Sequence, residues 1–246
     1  MSRNIDALND LLDGRYSCRG FLKDEVPQGT IEAIVRTAQK VPSWCNSQPW
    51  QLSICAPDTT KELAKALTEA AKGGMHAPDV AFPERYQGIY KERRSTCGWQ
   101  LYDAVGVVKG DREGSFKQMM ENYRFFGAPH VAIVSTPKEL GAYGVLDCGA
   151  FVTAFTLAAQ GLGVATIPQA AIAGMCSVVR SMLKIGEDRD ILCAISFGYE
   201  DKEHPANQFR TTRAELDEVV AWHYQKNAGP PQPRPLCLSS CARVRG

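Results

Sequence analysis

The chain has 246 residues and a net charge of +1, from 28 basic and 27 acidic side chains, with 44% hydrophobic and 22% charged residues. That composition supports a buried core in one large domain and excludes an extended, highly charged chain. Near-neutral, unclustered charge leaves no footprint for nucleic acid or for an anionic membrane surface.

Residues 4–13 place Ile5, Leu8, Leu11 and Leu12 on one side of a helix that Gly14 ends. Residues 28–41 form a second helix, with Ile31, Ile34, Val35 and Ala38 inward and Pro42 as its stop. Residues 50–55 read as a strand and 59–72 as a helix with Leu63, Ala66, Leu67 and Ala70 inward. The stretch 73–127 opens on Gly73-Gly74, mixes aromatics with charges and shows little period; only 114–124 reads as helical. Within it, 84–126 suits a lid over a pocket, and a packed peripheral subdomain accounts for it equally well. A strand at 130–136 and a helix at 145–160 follow, the latter apolar nearly all round and therefore expected to be fully buried. Then come a strand at 164–167, a short helix at 174–184, a strand at 191–197 and a last helix at 213–225 carrying Leu216, Val219, Val220 and Trp222. Helices and strands do not alternate strictly, so the fold class is α+β. The domain runs over 1–226, and 227–246 is a tail with four prolines.

The nine cysteines include no CxxC pair, and Cys237 and Cys241 have no histidine nearby, so no metal site is expected. Several thiols sit in apolar runs, which suits a reducing cytosol. The first residues lack the apolar stretch of a secretory signal. No charge occurs between Asp147 and Arg180, but Gly161, Gly163 and Pro168 interrupt the run, so it reads as a buried helix and strand rather than a membrane span.

Three segments carry chemistry. In Arg15-Tyr16-Ser17-Cys18-Arg19 an extended backbone points Arg15, Ser17 and Arg19 the same way, giving two guanidinium forks and a hydroxyl suited to phosphate. A solvated face is the alternative. Pro42-Ser43-Trp44-Cys45-Asn46-Ser47-Gln48-Pro49-Trp50 joins a helix to a strand without a charge from Val41 to Pro57. Stiffened by proline and furnished with neutral donors and acceptors, it suits a flat, uncharged, polar-edged ring; an ordinary turn beside a buried Trp50 also explains it. Arg210-Thr211-Thr212-Arg213 precedes the last helix and adds charge for the same anion, or simply marks an exposed helix start.

Together these segments resemble the nitroreductase family. The likeness rests on Arg15/Ser17/Arg19, Pro42 to Trp50, Ala128-Pro129, Asp147/Gly149, Leu162-Gly163, Ile167-Pro168, Gly198-Tyr199 and Arg213, in that order, over about residues 8–225. The loop at 42–50 is its most specific part. The pair Trp44-Cys45 with RYQGIYKERR and ENYRFFGAP is most similar to the nitrobenzoate and nitroaromatic reductase branch.

The resemblance implies a mostly antiparallel sheet flanked by helices, in an intertwined homodimer with two FMN sites at the interface. Arg15, Tyr16, Ser17, Arg19, Arg210 and Arg213 would then hold the phosphate and ribityl end. Pro42, Ser43, Trp44 and Asn46 would reach the flavin from the partner chain. Pro168, Gln169 and Ala170 would present backbone to flavin N5, and Asn122 would face the pyrimidine end. Arg124, Tyr86 and Phe125 are the candidate acceptor contacts, with Arg124 expected to pair with an acceptor carboxylate. The implied activity is two-electron ping-pong transfer from NAD(P)H to nitroaromatic or quinone-like acceptors, with the chemistry carried by FMN. Reductive dehalogenation, flavin cleavage, or flavin storage with little turnover are the competing uses of the same scaffold.

Overall fold

The structure is a computed structural model that describes residues 3–223. The proline-rich tail and the last two residues of the expected 213–225 helix lie outside the described residues.

Among the described residues, four strands form one antiparallel sheet that eight helices surround, covering both of its faces. The helices are α1 (Arg3–Gly14), α2 (Gln28–Ala38), α3 (Pro57–Lys72), α4 (Gly88–Ala104), α5 (Arg112–Met120), α6 (Gly141–Gly161), α7 (Cys176–Leu183) and α8 (Leu216–Val219). The strands β1 (Gln51–Cys55), β2 (His130–Pro137), β3 (Ala165–Gln169) and β4 (Arg189–Gly198) lie in the order β1-β2-β4-β3. Short 3₁₀ segments sit at Trp44–Asn46, Glu121–Gly127 and Ala170–Met175.

Alternation in β2 explains the layers. Val131 and Ile133 point to one face, where they meet Leu63, Leu67 and Val179 from α3 and α7. Ala132 and Val134 point to the other, into Ile34 of α2 and Phe151 and Phe155 of α6. Every residue from His130 to Ser135 is buried, as expected for a central strand covered on both faces. The chain before α2 extends the sheet: Ser17 bridges Thr166 in parallel, and Cys18 N–H donates to Thr166 O at 3.1 Å. Residues 15–19 therefore run along the β3 edge.

Three expectations need correction. First, α4 lies in the stretch expected to be irregular. None of its residues is buried, so it shows no apolar stripe for periodicity to detect. Second, the last helix is only Leu216–Val219, with Val220 extended at φ −121°. Leu216 and Val219 remain 64% and 66% exposed, and a nucleated turn that buries so little apolar surface does not propagate. Third, α6 is buried on one side only. Gly144, Asp147, Cys148, Phe151, Phe155 and Ala159 face the core, whereas Tyr143 and Leu146 are 55% and 66% exposed. By length and composition Lys138–Gly161 is the one stretch among the described residues able to cross a membrane. Its buried side is built into this chain's own core through α2, β2 and β3.

Candidate active site

Residues 15–19 and 209–213 face each other across a cavity of about 600 Å³. Arg15, Tyr16, Ser17 and Arg19 line one wall, Arg210 and Arg213 another, and Cys97 of α4 a third. Backbone tethers bring these distant segments together. Arg19 N–H donates to Asn207 Oδ1 at 2.7 Å, and Arg210 Nη1 donates to Asn207 O at 2.8 Å. Asn207 is buried and also donates to the carbonyls of Gly20 and Asp201. Tyr16 is fixed from both sides: its hydroxyl donates to Glu200 Oε1 at 2.5 Å, and the Arg210 guanidinium lies 3.6 Å from its ring centroid. Burial, then the bond to Glu200, pushes the phenol far up from its ordinary value, so it stays protonated.

The charge in this cavity is unbalanced. Four guanidinium groups line it, and none has a carboxylate within ion-pair distance among the described residues. The exposed Asp13 on the rim is the one acidic side chain there. Burial first, and Arg213 second, lower the pKa of Arg15. Burial likewise lowers that of Arg19, which rests 5.9 Å and 5.8 Å from the ring centroids of Phe126 and Phe209. Arg15 Nε is buried with no hydrogen-bond partner among the described residues. A buried donor left unpaired costs about 1–3 kcal/mol, so this arrangement asks for an anion with several acceptor oxygens. A phosphate monoester fits that donor set.

The loop at 42–50 lies elsewhere and does not line this cavity. Three non-glycine residues in it adopt positive φ: Cys45, Asn46 and Gln48. Such backbone persists only where surrounding contacts hold it. Here Asp147 Oδ2 accepts from Trp44 N–H at 3.0 Å, and Ser43 Oγ accepts from Gln48 N–H at 2.9 Å. Pro42, Trp44 and Asn46 are exposed, and the Trp44 ring lies 4.9 Å from that of Tyr143 on α6. At the end of β3, Gln169 is buried; its Nε2 donates to Asn122 O at 2.9 Å, and its Oε1 accepts from Ser196 Oγ. Its side chain is thus consumed in positioning, while Pro168 is half-buried and Ala170 exposed.

Two of the three candidate acceptor contacts do not fit their expected roles. Phe125 is 0% exposed, packed in the core with Leu63 and Leu67, and cannot stack on an acceptor. Arg124 pairs with Glu121 at 2.6 Å and lines a separate cleft of about 420 Å³ with Lys23 and Lys61. Phe125 and Phe126 at φ 56° and 54° turn the chain sharply, so sequence neighbours here face different regions. Tyr86 is exposed, with the Arg94 guanidinium 5.2 Å from its ring centroid. Phe125→Ala is therefore expected to lower stability by about 3–5 kcal/mol as a core truncation, with no change in acceptor KM. Chemical denaturation and steady-state kinetics check both halves. Cys97 and Asn207 were missed from sequence because each meets the site only through long-range folding.

A model of the nitroreductase family matches residues 12–199, most of the chain. The chain belongs to the nitroreductase family. Among its curated relatives, nitroreductase NfnB of Mycolicibacterium smegmatis is 36% identical over 220 residues, covering 87% of this chain and 92% of that protein. A 4-nitrobenzoate reductase of Nocardioides sp. is 31% identical, covering 89% and 90%. In three dimensions the chain is similar to the FMN-dependent nitroreductase NfnB from Mycobacterium smegmatis in complex with NADPH. The TM-score is 0.86 at 33% identity, covering 90% of this chain and all of that one. This nitroreductase family member therefore shares its sheet and helices with a flavoenzyme over nearly its whole described length.

Proposed function

We propose that this chain is an FMN-dependent NAD(P)H oxidoreductase that reduces nitroaromatic acceptors, acting as a homodimer. The observation that carries the reading is the cationic cavity, with four guanidinium groups and, among the described residues, no carboxylate paired to them and no hydrogen-bond partner for Arg15 Nε. One monophosphate satisfies this donor set, which favours FMN over a dinucleotide flavin. Arg15, Ser17, Arg19 and Arg213 would hold the phosphate, and Tyr16 and Arg210 would shape the same wall. Pro168, Gln169 and Ala170 would present backbone to the ring, with Asn122 beside them. When bound, the flavin takes two electrons from NAD(P)H and delivers them to the acceptor.

The loop carrying Pro42, Ser43, Trp44 and Asn46 does not line the chain's own phosphate cavity. A second chain would bring that loop to the neighbouring site and cover the open side of α6. In the lid, Tyr86 and Arg94 pair an aromatic face with a guanidinium that has no carboxylate within ion-pair distance among the described residues. This supports a preference for aromatic acceptors that carry a carboxylate. A reducing cytosol suits the thiols: Cys18, Cys55, Cys148 and Cys176 are free, and burial pushes each up to about 11.

The test begins with the absorbance spectrum of the purified protein and the mass of the released flavin. FMN bleached by NAD(P)H and reoxidised by nitroaromatics is the expected result, with kcat/KM higher for 4-nitrobenzoate than for nitrobenzene. Raising salt should narrow that gap. A colourless protein, or one holding FAD, sinks the cofactor assignment. Equal, salt-independent kcat/KM for the two acceptors removes the carboxylate preference alone.

A further inference from the structure

Residues 73–87 lead from α3 into the lid helix α4 without regular structure of their own, yet they are fastened to the body, with Ser177 Oγ donating to Met75 Sδ at 3.4 Å. Ala77 N–H donates to Gly174 O at 2.8 Å. The His76 ring sits 5.3 Å from that of Phe82, and both lie against Gly174, where a β-carbon would stand 3.0 Å from His76 Cδ2. The Asp79 carboxylate makes the charged contact. Through Oδ2 it accepts from Arg180 Nη2 at 2.6 Å and from Ile191 N–H at 2.8 Å.

Arg180 is a buried cation on α7, with its side chain 9% exposed and that of Asp79 15%. Its remaining donors go to the carbonyls of Gly186 and Arg189. Glu187 approaches Nε at 3.4 Å but is almost fully exposed, so Asp79 supplies the buried counter-charge. Removing one member of such a pair leaves an uncompensated charge, and the elements it joins must move to hydrate it. Those elements are α7, the start of β4 and the strap at 73–87.

The strap meets the body at Gly174, inside the 3₁₀ segment Ala170–Met175 that begins at the end of β3. The other end of this segment is gripped through Gln169 by Asn122 and Ser196. The strap also continues into α4, which places Cys97 on the phosphate cavity. The segment that carries Asp79 of this buried ion pair thus touches 170–175 at one point and leads into the lid at its end.

We infer that Asp79 is a positioning residue: by clamping the strap to Arg180 and Ile191, it fixes where Pro168 to Ala170 present their backbone to the cofactor ring. The inference rests on the FMN reading above. Backbone that must meet a reacting ring tolerates little displacement, since a shift near 1 Å can cost about a hundredfold in rate.

The experiment compares wild type with Asp79→Ala, Asp79→Asn and His76→Ala. FMN affinity comes from quenching of flavin fluorescence, flavin reduction by NADPH from stopped flow, and backbone protection at 170–175 from amide exchange of the apoprotein. Asp79 does not line the phosphate cavity, so Asp79→Ala should bind FMN within about threefold of wild type. It should slow reduction per bound flavin about tenfold or more and speed exchange at 170–175. Asp79→Asn, which keeps an acceptor oxygen but not the charge, should fall between. His76→Ala, at an exposed position, should act in the same direction with a smaller effect. Unchanged reduction rates in Asp79→Asn and His76→Ala, even with a lowered Tm, would overturn the inference; these two variants decide it if Asp79→Ala does not fold. Wild type that binds no FMN would instead overturn the cofactor reading and this inference with it.

Discussion

Replacing Arg15 or Arg213 with alanine is expected to weaken FMN binding by about 10- to 100-fold each, because a charge-assisted hydrogen bond contributes roughly 1.5–3 kcal/mol. The two residues should show a second, less ordinary signature. They lie close enough for the Arg213 charge to lower the pKa of Arg15. Without an anion, two like charges lining one partly buried cavity repel each other, and Arg15 Nε has no hydrogen-bond partner among the described residues. Removing either arginine should therefore leave the apoprotein as stable as wild type, or slightly more so, while the FMN-loaded protein loses stability. A site residue that destabilises the empty fold and stabilises the loaded one is a binding residue rather than a scaffold residue. Isothermal titration gives the affinities, and paired thermal melts with and without FMN give the stabilities. Arg36→Ala, which removes an exposed ion pair with Glu32 far from the cavity, is the control and should change neither. Unchanged FMN affinity in both variants would mean that the four guanidinium groups serve some other anion.

What could be read from sequence follows how local each signal is. The Arg15–Arg19 run was legible because alternation in an extended segment is a two-residue rule, and the segment does run extended along the β3 edge. The strands at β2 and β4 were legible from apolar runs bounded by turn residues, and β1 from the polar–apolar alternation of Gln51 to Ile54 after a proline-rich loop. Helix α4 was not, because a helix without a buried face has no period to find. The last helix was overread for the opposite reason: Leu216, Val219 and Val220 have helical spacing, but Leu216 and Val219 stay exposed, so the turn gains little burial by extending. Arg124 and Phe125 read together as pocket contacts at the end of the helix expected over 114–124, but left-handed backbone at Phe125 and Phe126 redirects the chain just there and Phe125 is buried in the core. Asn207, which ties Arg19 and Arg210 together, was invisible because its partners lie as many as 188 positions away. Asp147 was singled out as part of an Asp-x-Gly element. Its task of holding Trp44 across 103 positions emerged only from the fold.

The same burial pattern yields the prediction with the broadest consequence. Leu146 stands on the open side of α6, 66% exposed in the single chain, near Tyr143 and the Trp44 ring that contacts it. At so exposed a position Leu146→Glu should alter the stability of the isolated chain by no more than about 0.5 kcal/mol. If this face is the dimer interface, the same change buries a carboxylate against apolar neighbours of a second chain, at a cost of several kcal/mol. Wild type is therefore expected to sediment at twice the 27.0 kDa of one chain, and Leu146→Glu as a folded monomer. The monomer should also bind FMN weakly although Arg15, Ser17, Arg19 and Arg213 are untouched, because the loop at 42–50 can no longer reach a neighbouring site. Loss of flavin affinity without any change in the phosphate cavity is the result that separates a shared site from a self-contained one. A wild-type chain that sediments as a stable monomer and retains FMN would refute the shared site outright. A dimeric Leu146→Glu variant would move the interface off α6.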